Sequence, residues 1–476
     1  MTGRWMLLSA LSLVCLSGSL SAADARAQNV LFIVADDLNC DLHCYGHPQV
    51  KSPNIDRLAA RGVQFNHAYC QYPLCSPSRT SFLTGRRPNR TQIHRNARSF
   101  TRGKENTASP HFREFIPDTV TLPELFRKND YFVARVGKLY HYGVPLEIGT
   151  VGLDDAQSWD FVVNPAGRDK AEENKVFSLV PGSYGGTLSW LASDGTDAEQ
   201  TDGLAATAAI SLMEEHKDEP FFLAVGFYRP HTPYVAPKGY FANYPAKGIT
   251  LPELSEDDQN REPKAAYLSS KKDQENMSDD LRREAIQAYW ASIEFMDAQV
   301  GRVVAALDDL GLADNTVVVM ISDHGYHMYE HGLWQKMSLF ENSARVPMIV
   351  AAPDAKGNGT ATDSLAELVD LYPTLAELCG LAVPDYLDGV SQVGVLDNPA
   401  AKARDVALTQ VKRGSDDGYS LRTATYRYTM WKNAEDGEQL YDMTQDPGEL
   451  RNLASDPKFA TQIQEFRRII TTEAAR

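Results

Sequence analysis

The chain lacks the features that would place it in a membrane or on nucleic acid. The chain has 476 residues, and no apolar run after residue 27 is long enough to cross a bilayer. Such a run takes about 20 residues. The formal net charge is −16, and an acidic protein is a poor partner for phosphate backbones. There are no internal repeats and no low-complexity tracts. We therefore expect a folded protein with no stable membrane insertion and no nucleic-acid partner.

The first 27 residues have the pattern of a secretory signal peptide. Arg4 precedes an apolar run from Met6 to Leu20, and Ala25-Arg26-Ala27 fits a cleavage site. The run is too short and too rich in serine to predict a membrane span. We therefore expect an exported protein, periplasmic or secreted, that begins at residue 28 after cleavage.

Cysteine is scarce, and an odd number remains after the signal: Cys40, Cys44, Cys70, Cys75 and Cys379. An odd count in an exported protein predicts one thiol that is not simply paired. The disulfide pairing of the other four stays open. A zinc site is a further interpretation of Cys40, His43, Cys44 and His47, although their spacing does not match a finger or ribbon.

Acidic residues are absent from Arg57 through Lys104, where nine arginines and one lysine occur. In an acidic protein, such a cationic segment favours a cleft for an anionic substrate. The alternative is a solvated face whose charges are balanced by acids from elsewhere in the chain.

Continuous apolar runs alternate with helical patterns over most of the chain. The runs lie at 29–35, 131–136, 220–231 and 317–321, and their lack of polar alternation is typical of strands buried on both faces. Helical patterns lie at 53–60, 121–128, 203–216 and 280–310. This order predicts an α/β fold with a mostly parallel central sheet flanked by helices.

The pattern changes near residue 400. Residues 405–409 and 419–431 predict antiparallel strands, 438–447 a turn region, and a final helix starts near Pro457. We therefore divide the chain into a signal peptide (1–27), a main domain (28–400) and a smaller α+β subdomain (401–476).

Four predicted strands end in residues that can do chemistry. In parallel sheets, ligands bind beyond the carboxyl ends of the strands. Aspartates gathered there repel one another unless a cation neutralises them, and oxygen-rich sites favour Ca²⁺ or Mg²⁺. The strand-end residues are Asp36 and Asp37, Lys138 and His141, His231, and Asp323 and His324.

One short stretch, residues 75–85, lies in the middle of the cationic segment. Pro77 and Ser78 suit the first turn of a helix. Cys75 would then lie just before the positive helix end, with Arg79 one turn along, a setting that lowers a thiol pKa and attracts anions. A buried structural cysteine beside an ordinary helix start is the alternative.

The same stretch carries a family resemblance. Cys75-Ser-Pro-Ser-Arg79 with Leu83-Thr84-Gly85 matches the C-x-P-S-R-x-x-x-L-T-G motif of type I sulfatases at every fixed position. The chain resembles this formylglycine-dependent branch of the alkaline-phosphatase superfamily from residue 29 to its C-terminal part. The spacing of Lys138 and His141, and the histidine after Asp323, are most similar to the iduronate-2-sulfatase branch. The resemblance implies an alkaline-phosphatase-like fold with a sulfatase catalytic domain over 28–400.

The resemblance also implies site residues and cofactors. A formylglycine-generating maturation enzyme would oxidise Cys75 to formylglycine, whose hydrate has two hydroxyls. The implied ligands of Ca²⁺, with Mg²⁺ as the alternative, are Asp36, Asp37, residue 75, Asp323 and His324. The implied catalytic roles are nucleophile support (Arg79, Lys138), balance of sulfate charge (Lys138, Lys336), general acid (His231) and the base that eliminates sulfate (His141). Taken alone, His231 would be a loop-bonding histidine and Lys336 a surface lysine.

The implied activity is hydrolysis of sulfate esters of a sulfated polysaccharide or oligosaccharide. We predict a substrate subsite at His94, Arg95 and Arg98, with Arg86, Arg87 and Arg90 nearby. The rival hypotheses are a phosphomonoester or phosphonate hydrolase of the same superfamily and a carbohydrate-binding protein with unmodified Cys75. A thiol redox protein is disfavoured because no C-x-x-C pair is present. The sugar, the sulfated position, exo or endo action and the oligomeric state stay open.

Overall fold

The computed structural model describes residues 28–96, 110–413 and 416–474, so the predicted signal peptide and Arg98 lie outside the described residues. The strands of the described residues are β1 (Asn29–Asp36), β2 (Val63–Tyr69), β3 (Phe132–Gly137), β4 (Phe161–Val163), β5 (Phe177–Ser178), β6 (Ser189–Ser193), β7 (Phe221–Pro230), β8 (Tyr234–Pro237), β9 (Thr316–Ser322), β10 (His327–Met328), β11 (Trp334–Gln335), β12 (Arg345–Ala351), β13 (Thr360–Glu367), β14 (Ala407–Arg413), β15 (Asp416–Arg422), β16 (Tyr426–Trp431) and β17 (Glu438–Asp442).

The α-helices of the same ranges are α1 (Pro53–Ala59), α2 (Cys75–Thr84), α3 (Pro88–Thr91), α4 (Leu122–Arg127), α5 (Arg168–Ala171), α6 (Thr201–Glu215), α7 (Lys238–Phe241), α8 (Glu256–Asn260), α9 (Lys272–Glu275), α10 (Asp279–Asp309), α11 (Glu341–Ala344), α12 (Leu371–Leu378), α13 (Val393–Asp397) and α14 (Ala460–Ala474). Among these described helices, none is both long and apolar enough to span a bilayer.

Eight strands form the central sheet, in the order β13-β2-β12-β9-β1-β7-β3-β4. Every neighbouring pair is parallel except the two pairs that β12 makes with β2 and β9. The predicted mostly parallel sheet is confirmed, and so are the four predicted strands β1, β3, β7 and β9.

Helices cover both faces of this sheet, which explains the continuous apolar runs. On β1, Leu31 and Ile33 belong to a core shared with α6 and α10. Phe32 and Val34, on the opposite face, belong to a second core shared with α2, α4 and α12. Because side chains alternate between faces, a strand covered on both sides must be apolar at every position.

The C-terminal part is a four-stranded antiparallel sheet, β14-β15-β16-β17, that packs against α14. Two local predictions are wrong. Residues 419–431 divide into two strands, because the Thr423 hydroxyl accepts from the backbone N–H groups of Thr425 and Tyr426 and closes a turn. Residues 438–442 form β17 instead of a turn, with Leu440 buried under α14. The boundary at residue 400 stays a prediction, and the first strand of the small sheet begins at Ala407.

Buried ionic contacts join this small sheet to the main body. Arg427 of β16 contacts Glu341 at the start of α11, and its Nε lies 3.0 Å from Glu449 Oε1. His331 Nδ1 lies 2.8 Å from Asp258 Oδ1, and its Nε2 lies 4.0 Å from Glu449 Oε2. We call these five residues, Asp258, His331, Glu341, Arg427 and Glu449, the junction cluster.

Candidate active site

Four neighbouring parallel strands, β9, β1, β7 and β3, place their carboxyl ends at one edge of the sheet. The residues predicted at strand ends therefore meet, although they come from positions up to 288 residues apart (36 and 324). Asp36 ends β1, and the residues directly after the four strands are Asp37, Lys138, His231 and Asp323.

Helix α2 brings Cys75 to the same edge. The helix begins at Cys75 itself, so the predicted start after Cys75 is wrong. Pro77 is then the third helical residue, where the backbone N–H of any residue would be free of intrahelical bonds. The Ser78 hydroxyl, in the first turn as predicted, donates to the carbonyl of Asp323. Residue 75 thus lies at the positive end of the helix dipole.

Arg79 is fully buried and holds two carboxylates from different strands. Its Nε donates to Asp323 Oδ2 at 2.8 Å, and its Nη2 donates to Asp36 Oδ1 at 3.1 Å. Its Nη1 donates to the carbonyls of Lys138 and Leu139, at 2.5 and 3.1 Å. The guanidinium therefore orients Asp36, Asp323 and the backbone after β3.

Lys138 is also fully buried, and its Nζ donates to Asp36 Oδ2 at 2.5 Å. Its backbone can approach β7 only because residue 226 is glycine, since a Cβ there would lie 2.0 Å from the Lys138 carbonyl oxygen. Burial alone would raise the pKa of Asp36, but the charge of Lys138, with those of His231 and Arg79, holds that pKa below its usual value. Asp36 is therefore a carboxylate.

Four residues present donor atoms that suit a divalent cation. One donor atom each of Asp37, Cys75, Asp323 and His324 lies within 4.8 Å of the others, and no other such group of three or more His, Cys, Asp or Glu occurs in the described residues. Asp37 Oδ2 is buried without a hydrogen-bond partner. A buried carboxylate oxygen with no partner is costly unless a ligand satisfies it. These residues therefore fit a metal ion.

The orientation of His324 agrees with this fit. Its Nδ1 donates to the carbonyl of Gly325 at 2.9 Å, which leaves Nε2 pointing inward, 3.3 Å from Asp37 Oδ1 and 3.6 Å from Asp323 Oδ2. Metal-binding histidines are commonly fixed in this way through the other ring nitrogen. Asp36 lies outside the four-residue group because Arg79 and Lys138 occupy its oxygens, and its role as a ligand stays a prediction.

Cys75 lies at the centre of the charged groups. Its Sγ is 3.0 Å from Lys336 Nζ, 3.5 Å from His324 Nε2 and 3.9 Å from Asp37 Oδ1. Burial raises the pKa of this thiol, but Lys138 and Lys336, together with the neighbouring His141 and His231, bring the pKa well below its usual value. A negative charge at residue 75 is thus favoured by its surroundings.

Two histidines flank residue 75. Burial lowers the pKa of His141 to about 4, so its imidazole is neutral near pH 7, and its Nδ1 is buried without a partner. His231 Nδ1 donates to the Thr232 carbonyl at 2.5 Å, and its Nε2 lies 3.7 Å from Asp37 Oδ2.

We call these ten residues the Cys75 cluster: Asp36, Asp37, Cys75, Arg79, Lys138, His141, His231, Asp323, His324 and Lys336. Only three of their side chains reach the surface at all. His141 is 6% exposed, and the side chains of His231 and Lys336 are 7% and 11% exposed. A substrate therefore enters over these three residues.

Most of the cationic segment is bound to other parts of the chain. Arg87 contacts Glu367, Arg90 Nε lies 3.0 Å from Asp388 Oδ1, and Arg86 stacks 4.3 Å above the ring of Tyr386. Acids from elsewhere thus balance Arg87 and Arg90, as the alternative interpretation expected, whereas Arg86 stacks on a neutral ring.

The remaining predicted subsite residues lie apart from the cluster contacts. His94 is half-buried beside Tyr72, whose ring centroid is 6.3 Å away, and Arg95 is exposed. Their part in a substrate subsite stays a prediction, and Arg98 lies outside the described residues.

The structure bears on two points about cysteine, the disulfide pairing and the suggested zinc site. Cys40, Cys44, Cys70, Cys75 and Cys379 all lack disulfides in the structure. His43 faces Asp56 at 3.1 Å, and the four residues of the suggested zinc site do not gather into a metal-binding group within the described ranges.

The sequence did not reveal the residues that support Asp37. Asp37 has a left-handed backbone, with φ of 66°. The Tyr289 hydroxyl of α10 donates to its carbonyl at 2.8 Å, and the Ser322 hydroxyl accepts from the N–H of Leu38 at 2.9 Å. In the sequence, Tyr289 is one more apolar-face residue of a long helix, so no pattern marks it.

Comparison with known proteins agrees with this geometry. The family profile described as "Sulfatase" matches residues 28–381, and that described as "N-sulphoglucosamine sulphohydrolase, C-terminal" matches residues 329–475. The chain is 32% identical to iduronate 2-sulfatase of Homo sapiens, over 96% of this chain and 95% of that protein.

Two solved structures are also similar. One is a 2-O GAG sulfatase with 25% identity and a TM-score of 0.72, covering 94% of this chain and 93% of the other. The second is the phosphonate monoester hydrolase of Agrobacterium radiobacter, with 21% identity and a TM-score of 0.75, covering 94% and 95%. At that identity the second likeness shows the fold alone. On the strength of the profile match and the human relative, the chain belongs to the sulfatase family and is a sulfuric ester hydrolase of the alkaline-phosphatase superfamily.

Proposed function

We propose that this sulfatase is an exported enzyme that removes sulfate from a sulfated carbohydrate, using hydrated formylglycine at residue 75 and a calcium ion. The observation that carries the proposal is the convergence on Cys75 Sγ of an ammonium, an imidazole and a carboxylate within 3.9 Å. The similarity to proteins named iduronate 2-sulfatase and 2-O GAG sulfatase supports a carbohydrate substrate.

The nucleophile is proposed to be modified because a thiol offers one reactive group only. Hydrated formylglycine supplies two hydroxyls, one to attack sulfur and one whose deprotonation expels sulfate. Lys138 and Lys336 already favour negative charge at residue 75, and an oxyanion there would benefit from the same two ammonium groups.

The calcium ion would be held by Asp37, Asp323, His324 and residue 75, with Asp36 as a further ligand. When bound, it supplies a positive charge that polarises a sulfate oxygen. Arg79 keeps two of these carboxylates in place through its bonds to Asp36 and Asp323. Lys336, the most exposed of the cluster's cations, would contact an incoming sulfate.

The two histidines divide the proton transfers. The Nδ1 bond of His231 to the Thr232 carbonyl fixes its ring, so Nε2 faces the cluster and, in the imidazolium form, would donate its proton to the leaving sugar oxygen. His141 is neutral near pH 7 and can therefore take the proton from the second hydroxyl of residue 75. Acid and base are thus separate residues.

The test is to produce the chain together with a formylglycine-generating enzyme and to assay it on a panel of sulfated glycans. NMR of the products shows which position loses sulfate, and the mass of the peptide carrying residue 75 shows the modification. A phosphate ester of the same alcohol is the matched control. Unmodified cysteine in the active enzyme, or faster release of phosphate than of sulfate, would contradict the proposal.

A further inference from the structure

Lys271 lies beside the Cys75 cluster without being part of it. It directly precedes α9, in the segment between β8 and α10, and it is partly buried. Its Nζ donates to the Gly186 carbonyl at 2.5 Å and to the side-chain oxygen of Gln335. Both acceptors are neutral, and none of the ion pairs found among the described residues includes Lys271.

The two acceptors connect Lys271 to both sides of the active site. Gln335 precedes Lys336, whose Nζ lies 3.0 Å from Cys75 Sγ. Gly186 precedes Thr187, whose carbonyl accepts from the Thr232 hydroxyl at 3.0 Å, next to His231. Lys271 therefore bridges the Lys336 side and the His231 side, and His231 marks the side where the alcohol leaves.

The positive charge of Lys271 is poorly compensated. Burial, and then the charge of Lys336, lower its pKa to about 8, while Asp273 and Asp37 only partly offset them. Among the described residues, its Nζ contacts only the neutral oxygens of Gly186 and Gln335. A partly buried ammonium without an ion-pair partner is a feature of a place that an anionic ligand completes.

We propose that the Lys271 ammonium determines substrate specificity by binding an anionic substituent, a carboxylate or a second sulfate, on the leaving sugar. The inference rests on the proposed function, because His231 defines the leaving-group side only in that reaction. An ammonium is a compact charge that binds either oxyanion. Sulfate esters whose leaving alcohol is neutral would gain nothing from it.

The test compares Lys271→Gln with Lys272→Gln, a neighbouring exposed lysine, on four sulfate esters. Three are matched glycosides: one with a carboxylate, its carboxyl-reduced alcohol, and one with a second sulfate. The fourth is an aryl sulfate. Lys271→Gln should raise KM about 10- to 100-fold for at least one charged glycoside, the range of one charge-assisted hydrogen bond, with kcat and the neutral substrates nearly unchanged.

The pattern of KM changes decides the ligand. A rise confined to the uronate identifies a carboxylate, and a rise confined to the disulfated sugar identifies a second sulfate. Equal rises on all four esters would overturn the proposal, because Lys271 would then only fasten its segment over the site. Lys271→Arg should retain most of the affinity, and Lys272→Gln should match the wild type.

A binding measurement separates this proposal from the function on which it rests. Calorimetry with the free uronate and the free desulfated product sugar carrying one remaining sulfate requires no turnover. If the wild type cleaves no sulfate ester but Lys271→Gln still weakens binding of one sugar, the proposed function fails and the anion site stands. Equal binding by wild type and variant, or no binding by either, overturns the Lys271 proposal.

Discussion

The Cys75 cluster and the junction cluster are both buried and both highly charged, but their charges are balanced differently. In the junction cluster, Arg427 lies between Glu341 and Glu449, and His331 bonds Asp258. In the Cys75 cluster, donor atoms of Asp37, Cys75, Asp323 and His324 lie within 4.8 Å of one another, and the junction cluster forms no such group among the described residues. Ion pairs between buried charges hold segments in register, whereas ligand atoms gathered around one point are available to a cation.

The pKa values of the acids differ within each cluster: Asp36 of the Cys75 cluster has a lowered pKa, and burial raises the pKa of Glu449 in the junction cluster to about 6. Burial raises the pKa of Glu341, but Arg427 and Arg422 bring it down to about 2, so this carboxylate is ionised at any ordinary pH. For Asp323, burial outweighs the opposing charges of His324 and Arg79 and raises the pKa to about 6. A cation at the Cys75 cluster would supply the positive charge that Asp323 lacks.

The largest expected effect is loss of the central residue. Cys75→Ala should reduce sulfate-ester hydrolysis by about 10⁵-fold or more, as removal of a nucleophile does elsewhere, with no loss of stability. The measurement is the initial rate together with the unfolding midpoint. Cys70→Ala is the control, because Cys70 is fully buried outside the cluster, and it should lower the midpoint but keep the activity. Comparable rates in the two variants would contradict the nucleophile assignment.

His231→Gln should come next, with a loss of about 10²- to 10⁴-fold in kcat for a sugar sulfate, the usual range for a general acid. The loss should be much smaller for an aryl sulfate, whose leaving oxygen needs little protonation. His141→Gln should slow both substrates alike. An equal loss on both substrates with His231→Gln would remove the general-acid role.

The junction cluster should respond in stability and not in chemistry. Arg427→Met removes the cation nearest to the buried Glu341 and Glu449, which should cost about 3–5 kcal/mol of unfolding free energy. The kcat of the folded fraction should be unchanged. Arg451→Met, at an exposed position, is the control and should not shift the urea midpoint. A lowered kcat with normal stability would mean that the two clusters are coupled.

Metal removal should act on the Cys75 cluster and not on the junction cluster. A chelator should abolish activity, and added Ca²⁺ should restore it. Calcium at about 100 times its dissociation constant should add about 2.7 kcal/mol of stability. In Asp37→Asn this increment should disappear, whereas Arg427→Met should retain it. An unchanged calcium response in Asp37→Asn would place the ion elsewhere.

The smallest effect is the pH dependence of the junction cluster. Burial lowers the pKa of His331, but its bond to Asp258 and the charge of Glu449 raise it above the usual 6.5 overall. Its stabilising contribution is therefore complete below pH 6.5 and is lost as pH rises through the raised pKa. The urea midpoints of wild type and His331→Gln should converge over that rise. A constant difference would show that the protonation of His331 does not contribute to stability over this range.

Several strands could not be predicted from the sequence, for local reasons. β12 contains Pro347, which argues against a central strand, and the structure places the proline at a register shift in the pairing with β2. β13 is an edge strand with exposed residues in its first half, so it lacks a continuous apolar run. By contrast, β1, β3, β7 and β9 are covered on both faces, and their composition alone predicted them.

The sequence by itself determined the Cys75 motif, the strands of the buried sheet centre and the residues at their ends, because periodicity and strand-end chemistry are local properties. Tertiary structure alone decided which charges are paired. Arg86, Arg87 and Arg90 look like Arg79 in the sequence, yet each of the four binds a different partner more than 240 residues away. The same holds for Lys271, whose position beside Lys336 depends on contacts with distant segments that no local pattern records.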